Sequence, residues 1–416
     1  MLLAVLCFVP RLLCLSFHFY PTNSKSFYWE LSDSLLQSGT LGFHGIKTTA
    51  FEPLYPLFLA GARLITRDHM FFVLLFQIII EIIGCLYLYK LAQLLARNKY
   101  VGFITSLLYS LYPYFIYQTG AISEITLFTT LLIMSTYYYC KANGLKHSIY
   151  CGAFFGLTAM TRTTALPILF LGIGALALKK FYKQAFIMLG TALFILSPMM
   201  IRNYQIDGSL ILTRSGENLF DGNLELSDKL IPDYSVDLLY AYVNGILEKE
   251  RPDLVKNNSK KRNQFFTQKA VQFMIEHPWR VLKLKLKNIG YLFYPRIVPF
   301  YPMREETRLI VSETGDYHIE KAYRRNPIKE LIHSIPYTFI LLTAIIGIYL
   351  RRKEFQTDLI LYLITFSFVA TYALYFPTTR LRAPMDFVLM FYSACTIEMF
   401  LKHKVPAWTQ LTKNPA

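Results

Sequence analysis

The chain alternates long, uninterrupted apolar blocks with short polar punctuation, and the blocks have the length a bilayer demands. A hydrocarbon core about 30 Å thick takes about 20 residues of helix. After a first block, MLLAVLCFVPRLLCLSFHFY, apolar runs lie near residues 70–95, 100–117, 122–140, 147–161, 163–178, 184–201, 333–350, 358–375 and 384–401. Apolar positions are continuous within them rather than alternating, which predicts helices and not the strands of a closed barrel. The expectation is an all-α polytopic membrane protein of about ten transmembrane helices. Residues 147–178 barely suffice for two crossings, so a short or tilted pair is predicted there, with Arg162 at its outer tip.

The polar punctuation sets the orientation. The first block lacks a basic leader region and a small-residue cleavage site, so it is expected to stay as the first helix. Arg11 interrupts it and must snorkel, pack against protein, or meet a lipid phosphate. With the N-terminus inside, Arg97 and Lys99, Lys141 and Lys146, Lys179, Lys180 and Lys183, Arg351 to Lys353, and Lys402 with Lys404 all fall in cytoplasmic turns nearly free of acid. The outer face then holds residues 21–69, the short turn 118–123 and the stretch 202–333. This divides the chain into an N-terminal bundle with its first outer loop (1–201, loop 21–69), an outer periplasmic segment of mixed structure (202–332), and C-terminal helices with a short cytoplasmic tail (333–416). EPLYPLFLAGARLI is too short to span and predicts an interfacial helix. FFTQKAVQFMIEHPWRVLKLKLKNIGYLF predicts an amphipathic one at the outer headgroups, beside Lys283, Lys285 and Lys287.

Composition agrees. Of 416 residues 54% are hydrophobic and 17% charged, too apolar for a soluble chain of this size. The net charge of +16 reflects membrane orientation and headgroup contact, and no nucleic-acid partner is expected. All six cysteines lie in apolar blocks, which argues against a disulfide scaffold.

An enzyme that handles a lipid phosphate needs acids to activate an acceptor and cations to hold the phosphate. Both kinds gather at outer helix ends. Glu52 opens the interfacial helix before Pro53, and Glu124 stands at the start of the fourth helix in AISEITLF. A carboxylate in a first turn also has a plain explanation, capping and the helix dipole, which stays open for Glu124. Arg162 in AMTRTT, Arg202 after SPMMI, and Arg380 with Arg382 in FPTTRLRAP are external arginines that run against the positive-inside bias. Each could instead be a headgroup anchor. Gln77 and Glu81 share a face of the second helix and predict an interhelical hydrogen bond, as does Glu398 near the inner end of the last. His44, His277 and His318 are external, yet their spacing matches no familiar metal site.

The order FYWELSDSLLQSGTLGF, AFEPLYPLFLAGARL, AISEITLF, GLTAMTRTTALPI, SPMMIRNYQIDGSLILTRSGENLFDGN, MIEHPWRVLKLKLKN and FPTTRLRAP resembles bacterial membrane glycosyltransferases of the GT-C superfamily, in the protein O-mannosyltransferase-like and aminoarabinose-transferase-like branches. The resemblance covers nearly the whole chain. It implies inverting transfer of a sugar from a polyprenyl-phosphate donor to a lipid, glycan or protein acceptor, at the periplasmic face of a bacterial inner membrane. It also implies a first-loop acid that activates the acceptor, often with a divalent metal ion, and a second acid at the start of a later helix. Glu52 and Glu124 match those positions, and Arg380 and Arg382 fall at an arginine motif for donor phosphate. The family's Asp ahead of the tyrosine matching Tyr28 is absent, since the chain has Asn23, Ser24 and Lys25 there. The base is then Glu52, with Asp33 in reserve and Glu30 a further candidate, or the activity is altered or lost. A lipid-linked saccharide flippase and a catalytically inactive scaffold are the competing readings; a transporter would call for ionisable groups deep in the bundle.

Overall fold

The computed structural model describes residues 1–416 apart from 18–25, 44, 143, 211–213, 255–258, 303, 305, 313–315 and 405–416. Asn23 to Lys25 and His44 therefore lie outside the described residues. A helix stands at each expected apolar block, and the described residues are all-α but for two small hairpins.

Helix α1 (Leu2–Ser16) enters the bundle. The loop predicted to be the first outer one carries α2 (Phe27–Ser38), the hairpin β1 (Gly42–Phe43) and β2 (Ile46–Lys47), and α3 (Leu54–Thr66). The bundle continues with α4 (Met70–Ala96), α5 (Lys99–Leu111), α6 (Pro113–Thr119), α7 (Ile125–Cys140), α8 (Leu145–Thr161), α9 (Ala165–Leu178) and α10 (Tyr182–Asp207). One predicted helix over 100–117 is in fact the two pieces α5 and α6, because Pro113 holds Tyr112 in an extended conformation.

The segment predicted to be outer, called the outer segment below, holds α11 (Ser215–Asp221), α12 (Glu225–Leu230), α13 (Tyr240–Glu250), α14 (Ser259–Glu276), α15 (Pro278–Leu292) and the hairpin β3 (Arg308–Val311) with β4 (Tyr317–Glu320). The predicted amphipathic helix breaks into α14 and α15 at Pro278, which supplies no N–H to continue the first. Helix α15 buries Val281, Leu284 and Leu292 and leaves Trp279 81% exposed beside Leu282 and Leu286. The chain ends in α16 (Pro327–Leu350), α17 (Phe355–Leu374), the single-turn α18 (Thr379–Arg382) and α19 (Asp386–Lys404).

Among the described residues five segments are long and apolar enough to cross a membrane: Met70–Ala96, Tyr182–Asp207, Pro327–Leu350, Arg352–Leu374 and Thr379–Lys402. Shorter apolar helices Leu2–Ser16, Leu54–Thr66, Ile125–Cys140 and Ala165–Leu178 accompany them.

One large core joins the bundle helices, from Cys7 on α1 to Tyr392 on α19. The outer segment has its own core around Leu230, Leu239, Leu247 and Phe266. Arg11, Gln77 and Glu398 inside the bundle are each paired, as groups this polar must be where no water competes. Arg11 is 1% exposed and meets Glu81 at 3.3 Å, and its guanidinium also donates to the carbonyl oxygens of Cys7 and Ser110, each at 2.9 Å. Gln77 accepts from the Tyr55 hydroxyl at 2.7 Å and donates to the carbonyls of Thr119 and Ala121. Glu398 accepts from Asn98 at 2.8 Å. The Gln77 and Glu398 contacts are interhelical hydrogen bonds, and Glu81 is the counter-ion that lets Arg11 sit in the first helix.

Candidate active site

The first outer loop is fastened to the bundle end before it presents any chemistry. Arg202 donates to the carbonyls of Leu41 and Thr48 and to Asn203, and the Thr49 hydroxyl donates to Asp207 at 2.6 Å. This fixes the segment that carries Glu52. The Glu52 Oε1 accepts from the Thr163 amide at 2.8 Å and from its hydroxyl at 3.1 Å, which ties the loop to the turn between α8 and α9. Burial pushes the Glu52 carboxyl pKa up, against the lowering effects of Thr163 and Arg162.

Glu124 occupies the position before α7 but makes no capping hydrogen bond. Both its oxygens instead accept from Arg380, at 2.8 and 3.0 Å, and Oε1 lies 3.4 Å from Arg162. The plain capping explanation therefore does not account for it. Glu124 is 3% exposed, whereas the Arg380 side chain keeps 45% of its surface open, so the carboxylate anchors one edge of a guanidinium whose other edge is accessible. The Arg162 atom in its ion pair with Glu124 is the buried Nη1, which makes no hydrogen bond.

Arg380 is placed by α18, whose first turn is capped when the Thr378 hydroxyl accepts from the Leu381 amide at 3.1 Å. Thr379 clamps this turn to the outer segment: its amide donates to the Val298 carbonyl at 3.0 Å, and its hydroxyl accepts from the Val298 amide at 2.9 Å.

Glu52, Glu124, Arg162 and Arg380 line one cavity of about 2010 Å³. Other sequence candidates stand elsewhere. Arg382 turns into the bundle, 1% exposed, beside Asp386 at 3.1 Å and over the Tyr337 ring at 3.8 Å. Arg202 is committed to the loop carbonyls, and Asp33 pairs with Arg63 at 2.5 Å; neither borders the cavity. The cavity also has residues the sequence reading passed over, among them Tyr28, Arg324, Arg325, Lys329 and His333. For the basic ones a signal was present: RRNPIKE is one more basic cluster, on the side that the sequence reading takes as outer and where the positive-inside rule expects few.

A family model described as dolichyl-phosphate-mannose-protein mannosyltransferase matches residues 49–201, the stretch that holds Glu52, Glu124 and Arg162. Among solved structures, the apo oligosaccharyltransferase of Archaeoglobus fulgidus shares 14% identity at a TM-score of 0.55, covering 99% of this chain and 51% of that one. Over nearly its whole length the chain shares the fold of that oligosaccharyltransferase. AglB from the same archaeon, in complex with an inhibitory peptide and a dolichol-phosphate, matches at 14% identity and a TM-score of 0.53, over 93% of this chain and 47% of its own. The chain thus spans about half the length of these oligosaccharyltransferases. ArnT from Cupriavidus metallidurans bound to undecaprenyl phosphate matches at 11% identity over 91% of this chain and 74% of its own, with a TM-score of 0.34 that carries no geometric argument. The comparison with curated proteins gives no match.

The divalent metal that the resemblance implies finds no fitting donor set among the described residues. Among the described residues no three His, Cys, Asp or Glu side chains gather as ligands, and the Glu124 oxygens face two guanidinium groups that would repel a cation. His277 and His318 lie away from the cavity, and His44 is outside the described residues.

Proposed function

We propose that this protein transfers a sugar from a polyprenyl-phosphate-linked donor, with inversion, at the outer face of a bacterial inner membrane. The observation that supports it best is the meeting of Glu52, Glu124, Arg162 and Arg380 in one cavity with apolar walls. Leu166 and Leu171 of α9 and Phe366 and Ala370 of α17 supply such a wall, suited to an isoprenoid chain. Arg380, oriented by Glu124, and Arg162, whose Nη1 meets Glu124 in an ion pair but makes no hydrogen bond, would hold the donor phosphate and stabilise the charge that gathers there as the glycosidic C–O bond breaks. Glu52 would take the proton from the acceptor hydroxyl as it attacks the anomeric carbon, its raised pKa matching it to that task. Glu124 is a positioning residue in this scheme, and Asp33, paired with Arg63, is displaced from the role of base. The acceptor is a lipid, glycan or protein hydroxyl.

Binding of undecaprenyl phosphate, the leaving group itself, to purified protein tests the phosphate seat. Arg380→Gln is expected to weaken it roughly tenfold, the scale of one lost charge-assisted hydrogen bond. Arg382→Gln, if folded, should bind as wild type does. Equal binding by wild type and Arg380→Gln, or no binding by the folded wild type, would overturn the assignment.

A further inference from the structure

The cavity carries more positive charge than one donor phosphate needs. Three carboxylates line it, Glu52, Glu124 and Asp237, against seven cations. Glu124 engages Arg162 and Arg380, and a phosphodiester brings a single negative charge. The remaining cations are Arg214 and, between the outer segment and α16, Arg304, Arg324, Arg325 and Lys329. Arg325 is held by the carbonyls of Pro299 and Phe300, at 2.6 and 3.3 Å, and Arg304 lies over the Tyr323 ring at 4.1 Å. Arg324 and Lys329 are exposed, and among the described residues no carboxylate pairs with either. The acid nearest in sequence, Glu330, is already engaged with Arg296 at 3.4 Å and accepts from the Ile297 amide.

A second observation points at the same wall. His333 is 3% exposed, borders the cavity, and has neither ring nitrogen hydrogen-bonded. It stands one turn beyond Lys329 on α16, so the two share a helix face. Its ring stacks on Tyr337 at 5.8 Å and packs near Tyr112 and Tyr114, which holds its orientation. A buried imidazole with both nitrogens unused is costly unless something completes it. Cations that only anchored the helix to headgroups would need no buried imidazole beside them.

We propose that Arg324, Lys329 and His333 form a second phosphate subsite, separate from Arg162 and Arg380, within the same cavity. Two sources share this chemistry: a second phosphate on the donor, or a phosphate on an amphiphilic acceptor. The inference rests on the sugar-transfer reading for its place in the reaction, but the subsite can be measured by binding alone.

The test uses purified full-length protein and three probes: undecaprenyl phosphate, undecaprenyl pyrophosphate, and phosphatidic acid offered to protein already saturated with undecaprenyl phosphate. The variants are Arg324→Gln/Lys329→Gln and His333→Phe, the latter keeping the ring stack without its nitrogens. Lys283→Gln, on the outer face of α15, is the control. Loss of roughly tenfold in pyrophosphate affinity by both variants, with monophosphate binding unchanged, supports the subsite and assigns it to the donor. The same loss for phosphatidic acid alone supports it and assigns it to the acceptor. Wild-type affinities for all three probes in both folded variants, or losses no greater than those of Lys283→Gln, would overturn the subsite. Failure of wild type to bind undecaprenyl phosphate would instead remove the donor reading; phosphatidic acid would then be offered to the unsaturated protein, and its affinity for wild type against the two variants would support or overturn the subsite.

Discussion

At the scale of single residues, neighbours decide which charged groups are available for chemistry. Arg380 and Arg382 are two apart, yet one opens onto the cavity and the other is buried with Asp386. Arg382→Gln is therefore expected to lower stability by about 3 kcal/mol, since it leaves the Asp386 carboxylate buried without its partner; thermal unfolding in detergent checks this. Glu52 gives a pH prediction. Burial raises its pKa, so folding favours its protonated form and that preference is lost as pH rises through the folded-state value. Transfer by Glu52 as base should then fall on the acid side with a midpoint above the ordinary carboxylate value. Glu52→Gln should be no less stable than wild type at pH 7 while transferring roughly 100-fold or more slowly. A Glu52→Gln protein that keeps wild-type rates would exclude Glu52 as the base.

At the scale of elements, helix contacts depend on small residues and paired charges. A Cβ on Gly347 of α16 would strike the Tyr392 carbonyl of α19, whereas Gly174 of α9 has open space. Gly347→Ala should destabilise by about 1–3 kcal/mol and Gly174→Ala should be silent, as read by thermal melts of the purified variants. The Arg11–Glu81 pair joins α1 to α4. Either Arg11→Met or Glu81→Leu alone should be costly, and the double substitution should recover most of the loss. In the outer segment, burial and then Glu217 push Asp221 up to about 8, and its Oδ1 is buried without a partner. Its protonated form suits the fold, and that contribution fades as pH rises through about 8. Asp221→Asn is expected to raise the melting temperature at pH 9 and leave it unchanged at pH 5.

At the scale of the whole molecule, apolar block lengths foretold the helical order, because burial in lipid leaves a signal in every residue of a span. Breaks at Pro113 and Pro278 were missed where a local proline overrode a continuous apolar or amphipathic pattern. The site was half legible. Glu52, Glu124, Arg162 and Arg380 stood out as charges at outer helix ends, but sequence position could not separate Arg380 from Arg382, or tell that Arg202 fastens a loop. Lys329 and His333 were invisible as a pair because their meaning lies in a cavity wall assembled from both ends of the chain. The measurement that bears most directly on the central claim is transfer of radiolabelled sugar from membrane-extracted polyprenyl-phosphate sugars to endogenous acceptors by purified protein. Wild type should transfer label, Glu52→Gln should retain donor binding without transfer, and Arg380→Gln should bind donor roughly tenfold more weakly and transfer less. No transfer by folded wild type across a broad donor set, with labelled donor still bound, would contradict the enzyme reading and favour a carrier of lipid-linked sugars.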